Sequence, residues 1–240
     1  MAYQAVFKRY ELKYLLNDAQ LQHVIQAMAP HMQLDAYGDS VIRNLYYDTD
    51  DFRLIRHSIQ KPVYKEKLRI RSYHRAVEGV PVYVELKKKY KHVVYKRRLQ
   101  MKEEKVQAWL SGGDAPEDSQ IAREITYFRD FYPNLHPTIY LSYHRLAYYD
   151  KKGSSFRVTF DTKIRARQTD LTLNSDHSVG TSLLPEGMTL MELKCAGSMP
   201  LWMAHALTEA KIYKTSFSKY GTAYAQMIFP EIKEELFHVR

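Results

Sequence analysis

Between Tyr64 and Tyr73 the sequence reads YKEKLRIRSY, and its odd positions are Lys65, Lys67, Arg69 and Arg71. On a strand these four share one face, neighbours two apart lying roughly 7 Å from each other. Each like-charge pair then costs roughly 2.4 kcal/mol at an effective dielectric of about 20, against about 0.6 in bulk water. Such a row is either fully solvated or faces an anion. The same bias recurs elsewhere. Glu85, Lys87 and Lys89 oppose Val82, Val84 and Leu86, and Arg9, Glu11 and Lys13 oppose Tyr10, Leu12 and Tyr14. Glu192 and Lys194 face away from Met191, Leu193 and Cys195. Arg157, Thr159, Asp161, Lys163 and Arg165 alternate with Phe156, Val158, Phe160 and Ile164.

Cations fixed around a lumen can hold a chain of phosphates, because Arg binds phosphate oxygens in bidentate fashion and Lys adds point charge. The few carboxylates among them, Glu11, Glu85, Asp161 and Glu192, suit Mg²⁺ or Mn²⁺, hard ions that bridge carboxylate to phosphate. Phosphoryl transfer needs little beyond positioning and charge neutralisation. Other chemistries are poorly supplied: the chain has no GxxxxGK[ST] loop, no GxSxG elbow and no HExxH helix. Its ten histidines show no ligand spacing, and its single cysteine, Cys195, rules out an internal disulfide framework.

These faces need a sheet to carry them. Period-two segments rich in Val, Ile, Tyr, Phe and Thr fall around 5–15, 41–47, 62–74, 80–89, 92–101, 138–148, 155–166 and 189–195. Helical spacing follows Asn17, opens near Asp50, runs from about 102 to 110, follows Ser119 and covers about 219–228. Ser198 reads as an N-cap with Pro200 in the first turn. Residues 168–189 read as a polar insertion or long loop. The expected class is α+β: about eight antiparallel strands, enough to close into a barrel, flanked by helices, in one domain over residues 1–240; closed with its charged face inward, such a sheet makes a basic tunnel. Simple alternation puts Arg145 with Ile139, Leu141 and Tyr143 on an apolar face, so a bulge or a different register is needed to bring it inward.

The formal net charge of +9 over 240 residues points to an anionic partner. No apolar run is long enough to span a bilayer and MAYQAVFKRYELKYLL lacks a signal-peptide core, so a cytoplasmic protein without a membrane span of its own is expected. Twenty tyrosines make base stacking conceivable, but tyrosine is common in strands, which disfavours nucleic acid as the partner.

Eight short motifs occur in one order: RYELKYLL, YYDTDDF, KLRIRSY, YVELKKKY with VVYKRRL, YHRLAY, FRVTFDT, LMELK and FSKYGTAY. In this the chain resembles the polyphosphate polymerase domain of the vacuolar transporter chaperone complex, a member of the triphosphate tunnel metalloenzymes, or CYTH superfamily. The resemblance implies an eight-stranded tunnel with ATP as phosphoryl donor, inorganic polyphosphate as acceptor and Mn²⁺ or Mg²⁺ as cofactor. It implies phosphate-binding roles for Lys13, Arg69, Arg71, Lys87, Lys96, Arg145, Arg157, Lys194 and Ser218. It further implies that Glu192 holds the metal and that Lys219 stands with it at the point of transfer. The related hydrolases are similar to one another in an ExExK motif, whereas here Arg9 takes the first Glu position. That change favours transfer over hydrolysis, leaving a triphosphatase or a non-catalytic polyanion binder as alternatives. The phosphate-sensing domain and membrane helices that surround the eukaryotic domain have no room here, so a membrane-protein partner is left unidentified.

Overall fold

In the computed structural model, which describes residues 6–7, 10–76, 80–91 and 93–238, the period-two segments form one antiparallel sheet. Its eight long strands are β2 (Tyr10–Leu16), β3 (Met32–Asp48), β4 (Tyr64–Ser72), β5 (Pro81–Tyr90), β6 (Val93–Lys102), β7 (His136–Asp150), β8 (Arg157–Arg167) and β10 (Thr189–Cys195). Three two-residue strands complete it: β1 (Val6–Phe7), β9 (Thr181–Ser182) and β11 (Lys214–Thr215). The helices are α1 (Asp18–Met28), α2 (Arg53–Ile59), α3 (Glu103–Leu110), α4 (Gln120–Phe131), α5 (Leu201–Glu209), α6 (Lys219–Ala223) and α7 (Phe229–His238).

The strand order β1-β6-β5-β4-β3-β7-β8-β10-β2-β11, with β9 beside β8, has a topological consequence. β1 pairs with β6 and β2 pairs with β10, yet only two residues separate β1 from β2 in the chain. One N-terminal segment therefore reaches both ends of the ladder and curls the sheet into a tunnel, which disposes of most of its edge. The expected α+β tunnel of eight main strands with flanking helices is what forms.

Helices cover the outside of this sheet where its residues are apolar. Leu68, Ile70, Val84 and Leu86 of β4 and β5 pack with Val106 and Trp109 of α3 and Ile125 and Phe128 of α4. On the opposite wall Val158, Phe160, Met191 and Leu193 meet Val24 and Met28 of α1 and Met203 and Leu207 of α5. Each fully buried aliphatic side chain contributes about 1.5–3 kcal/mol, so these two layers hold the wall against its own inward charge. Asn17 starts α1 as expected, through a capping box: its side chain accepts from the Gln20 N–H at 2.9 Å, and the Gln20 side chain accepts from the Asn17 N–H at 3.1 Å. Ser119 caps α4 through the N–H of Ala122.

A third apolar cluster corrects the reading of Arg145. Ile139, Leu141 and Tyr143 of β7 pack with Ile42 of β3, Ile164 and Ala166 of β8, Leu190 of β10 and Tyr220, Tyr224 and Ile228 of the C-terminal helical segment. Arg145 does share their face, as alternation requires, but that face is the inner one. Alternation also made Lys163 and Arg165 companions of Asp161, and here β8 differs. A bulge opposite Tyr143 places one extra residue in β8, with Lys163 left-handed (φ 49°) and exposed. Beyond it the parity reverses, so Asp161 faces Arg145 while Ile164 and Ala166 also point inward, and Arg165 donates instead to the Gly180 carbonyl.

Other departures are local. Ser198 caps nothing: Pro200 is the N-cap of α5 and no side chain serves it. The last helix does not stop at Ile228. A π turn over Tyr224–Ile228, in which Phe229 N–H reaches the Tyr224 carbonyl, widens the ladder just before Pro230, and α7 continues through it. Residues 168–189 are held in place, with Leu173, Leu183 and Leu184 buried and the Arg167 guanidinium donating to the carbonyls of Thr169, Asp170, Asp176 and Val179 and to Ser175 Oγ. Arg9 lies outside the described residues.

Candidate active site

Two carboxylates on neighbouring strands organise one part of the inner wall. Asp161 of β8, fully buried, accepts from Arg145 Nε and Nη2 at 2.6 Å each, a bidentate pair. Glu192 of β10 has Lys219 Nζ at 3.2 Å and Lys13 Nζ at 3.4 Å from Oε1, with Arg145 Nη2 at 3.7 Å and Lys194 Nζ at 4.0 Å from Oε2. Lys219 joins the two, since its Nζ is also 2.5 Å from Asp161 Oδ2.

The FSKYGTAY segment delivers Lys219 to this point. Ser218 caps α6 by accepting from the Gly221 N–H, and the two pack closely, since a Cβ on Gly221 would stand 3.1 Å from Ser218 Cβ. Next to Lys219, the Tyr220 hydroxyl donates to Asp48 Oδ2 at 2.8 Å. Asp48, fully buried at the end of β3, also accepts from the N–H groups of Leu54 and Ile55, so one carboxylate caps α2 and anchors α6. Lys13 Nζ donates to the Phe217 carbonyl at 2.8 Å and Lys67 Nζ to Ser218 Oγ at 3.2 Å, tying the segment to both sides of the tunnel.

A second group of cations surrounds Glu85 of β5, which is 1% exposed. Arg69 approaches through Nε at 2.9 Å and Nη2 at 2.7 Å, Lys96 at 2.5 Å, Arg98 at 3.4 Å and Arg71 at 3.7 Å. Tyrosines supply the remaining support: Tyr46 accepts from Arg69, Tyr143 accepts from Arg71, and Arg98 lies 3.5 Å from the centre of the Tyr83 ring. Between the two groups, Lys87 donates to Glu11 Oε2 at 3.1 Å across the tunnel, from β5 to β2.

Titration follows from this crowding. Burial alone would raise Glu85, but Arg71, Arg69 and Lys96 hold it well below the carboxylate range. Glu192 is depressed in the same way by Lys219, Lys13 and Arg145, and Glu11 falls to about 2 under Lys87 and Lys194. Lys219 goes up despite its burial because Asp161 and Glu192 flank it. Lys67 goes down to about 7, through burial first and then through Lys65, Lys87 and Lys13. Burial also takes Lys96 to about 8, with Glu85 opposing.

A pH dependence follows. As pH rises from 6.5 to 9, Lys67 and then Lys96 shed protons, and the affinity for tripolyphosphate should fall severalfold. Over the same interval the ligand-free protein should gain stability, because unfolded lysines near 10.5 retain protons that the folded ones have released. Isothermal titration and urea melts at several pH values check both signs, and a flat binding profile would contradict the assignment.

Of the residues singled out in the sequence, Lys13, Arg145, Lys194, Lys219 and Glu192 come together at the Asp161–Glu192 pair, Arg69, Arg71 and Lys96 at Glu85, and Ser218, next to Lys219 in the chain, holds Lys67 instead. Lys87 meets Glu11. Arg157 stands apart: it is exposed, opposite Lys194 in the ladder, and makes no ion pair with a described residue. Motif matching passed over Lys67, which the same-face row in YKEKLRIRSY had flagged. Arg98 was missed altogether, although it alternates with Lys96 in VVYKRRL.

The carboxylates divide into committed and less committed. Glu85 and Asp161 are engaged by arginines at 2.6–2.9 Å, which removes them from the set expected to suit a metal. Among the described residues no three His, Cys, Asp or Glu side chains cluster to hold an ion. Glu192 Oε2, whose cations stand at 3.7 and 4.0 Å, and the Glu11 carboxylate on adjacent β2, which only Lys87 reaches, at 3.1 Å, among the described residues, are hard oxygen donors at the inner wall. This pair fits a divalent ion that takes most of its ligands from phosphate and water, as Mg²⁺ does.

A curled antiparallel sheet lined by cations with interspersed carboxylates is the architecture of the triphosphate tunnel, CYTH-like, proteins. Among the solved structures that share the fold, two are informative. One, from Bacillus halodurans and described as a candidate adenylate cyclase, has a TM-score of 0.56 at 14% identity, covering 90% of this chain and 96% of that one. The other, from Hippeastrum and described as a candidate adenylyl cyclase with a dominant triphosphatase activity, has a TM-score of 0.52 at 17% identity, covering 90% and 94%. Within that class the chain belongs to the VTC domain family, whose model matches residues 8–228. None of the curated proteins matches it. No helix among the described residues is long and apolar enough to cross a membrane.

Proposed function

We propose that the chain is a metal-dependent polyphosphate polymerase that moves the γ-phosphoryl group of ATP onto a polyphosphate chain. The observation that carries this reading is the convergence of Lys13, Arg145, Lys194 and Lys219 on Glu192 and Asp161, with a second cationic group at Glu85. Arg69, Arg71, Lys87 and Lys96 hold the donor phosphates, Arg157 meets the polyanion at the exposed end of β8, and Ser218 and Lys219 contact the transferring group. In the step itself the bond from the γ-phosphorus to the β,γ-bridging oxygen breaks and one forms to a terminal oxygen of the acceptor, releasing ADP. The acceptor oxygen is already ionised, so no general base is required, and the cations neutralise charge spread over the moving phosphoryl group. Glu192, with Glu11 beside it, would hold Mn²⁺ or Mg²⁺, which when bound adds Lewis-acid neutralisation of phosphate charge. Arg9 in place of a carboxylate supports transfer over hydrolysis, because one fewer acidic ligand weakens any site for activating water.

Hydrolysis of a triphosphate is the second reading, and the triphosphatase activity of the Hippeastrum fold relative favours it. Incubating the purified protein with ATP and Mn²⁺, then Mg²⁺, and resolving products on a gel separates the two. A ladder of phosphate chains with ADP, absent in Glu192→Ala, is the expected result. Free phosphate without chains makes the protein a triphosphatase, and no turnover with either metal makes the tunnel a polyanion binder.

A further inference from the structure

On the outer wall, away from the tunnel, a cavity of about 420 Å³ lies between α2, α4 and the outward side of β4 and β5. Its size falls within the range of pockets that enclose small ligands. Its aromatic side is set by Tyr64, Tyr127, Phe128, Phe131 and Tyr132. Glu66, the one carboxylate of the lining, is fully engaged, accepting from Tyr64 OH at 2.6 Å and Tyr132 OH at 2.7 Å. Burial and that carboxylate push both phenols up, so they stay protonated and the two rings are fixed.

The cations of the cavity are less engaged. Arg53 lies over the rings of Phe131 and Tyr132, 5.9 and 5.4 Å from their centroids. Neither Arg53 nor Lys88 makes an ion pair with a carboxylate among the described residues, although both line the cavity. Beside them Tyr127 and Phe131, 67% and 51% exposed, stack on each other at 6.1 Å and 23°. Exposed parallel rings next to uncompensated cations suit a ligand with a flat π surface and a negative charge. A nucleotide has both: its base stacks on aromatic rings and on a guanidinium plane, and its phosphate pairs with Arg and Lys.

We infer that this cavity is a second site, distinct from the tunnel, that binds a nucleotide through its base on Tyr127 and Phe131 and its phosphate on Arg53 and Lys88. Alternation separates it from the lumen, because Glu66 points to the opposite side of β4 from Lys67 and Arg69. Only Lys65 belongs to both the inward row and the lining, and its ammonium donates to the Ser58 carbonyl at 3.1 Å. The site does not depend on what the tunnel catalyses.

The test is equilibrium dialysis of radiolabelled AMP against the whole protein, with excess inorganic tripolyphosphate to fill the tunnel. AMP should still bind at one site per chain, and Tyr127→Ser, Phe131→Ser and Arg53→Gln should each weaken it about tenfold, the order of one lost stacking or phosphate contact. The same variants should leave tripolyphosphate affinity unchanged, which also shows that they are folded. Ribose 5-phosphate should compete poorly. Loss of AMP binding when tripolyphosphate is present, indifference to all three substitutions, or competition by ribose 5-phosphate equal to that by AMP would each overturn the assignment.

Discussion

Replacing Glu85 with Gln should lower the unfolding free energy by about 3–5 kcal/mol, the cost of removing one partner from a buried ion pair. Glu85 is 1% exposed and is the shared counter-ion of Arg69, Arg71, Lys96 and Arg98. Lys96 can release its proton when that charge goes, but the guanidiniums cannot, so they would remain buried, charged and mutually repelling. The effect should be conditional. Tripolyphosphate supplies the missing anion and should recover much of the lost stability, since a ligand that binds only the folded state stabilises it by mass action. Urea melts of both proteins with and without tripolyphosphate decide this. An unchanged midpoint for Glu85→Gln would mean that the cluster is held together by something other than its central charge.

Replacing Lys219 with Met should reduce phosphoryl transfer by roughly 10²–10³, the usual loss when one preorganised charge at the reacting group is removed. Its Nζ sits between Asp161 at 2.5 Å and Glu192 at 3.2 Å, pinned by α6 rather than by a flexible loop. Tripolyphosphate affinity should change far less, because Lys13, Arg69, Arg71 and Lys87 still face the ligand. The informative comparison is turnover against affinity. Equal losses in both would make Lys219 an ordinary binding cation, and turnover within twofold of the parent would remove it from the transfer step.

Much of this was legible in the residues because strand alternation is a strict geometric rule. Lys65, Lys67, Arg69 and Arg71 had to share a face, and opposing Leu68 and Ile70 had to lie under helices. Most segments fell close to the observed strands, but 41–47 missed the first half of β3, Met32–Asp48, and the start of α1 after Asn17 came from helical spacing instead. What alternation could not show is which side of a mixed face is the inside. Ile139, Leu141 and Tyr143 read as an exterior because apolar residues normally mark the side under helices. Here the inner wall turns apolar where Tyr220 and Tyr224 pack into it. The pairing of Asp161 with Arg145 was equally hidden, since it depends on the register that the turn between β7 and β8 sets, whereas the inward side of Ile164 and Ala166 depends on a shift that leaves no mark in composition. Short motifs found Arg69 and Arg71 but said nothing of Arg98, whose role comes from reaching across to Glu85. The last helix runs on past the expected 219–228 for a different reason, because a single π turn accommodates a proline that an α-helical ladder would not.

The extra residue at Lys163 makes β8 behave as two rulers joined out of step. On one side odd numbers point inward and on the other even numbers do, so Arg157, Thr159 and Asp161 share a side with Ile164 and Ala166. Deleting Lys163 would bring the two rulers into step, leaving Asp161, Ile164 and Ala166 on the inner side and removing only the bulge opposite Tyr143. A relative lacking that residue can keep both halves of the strand as they are, with a regular ladder in place of the kink.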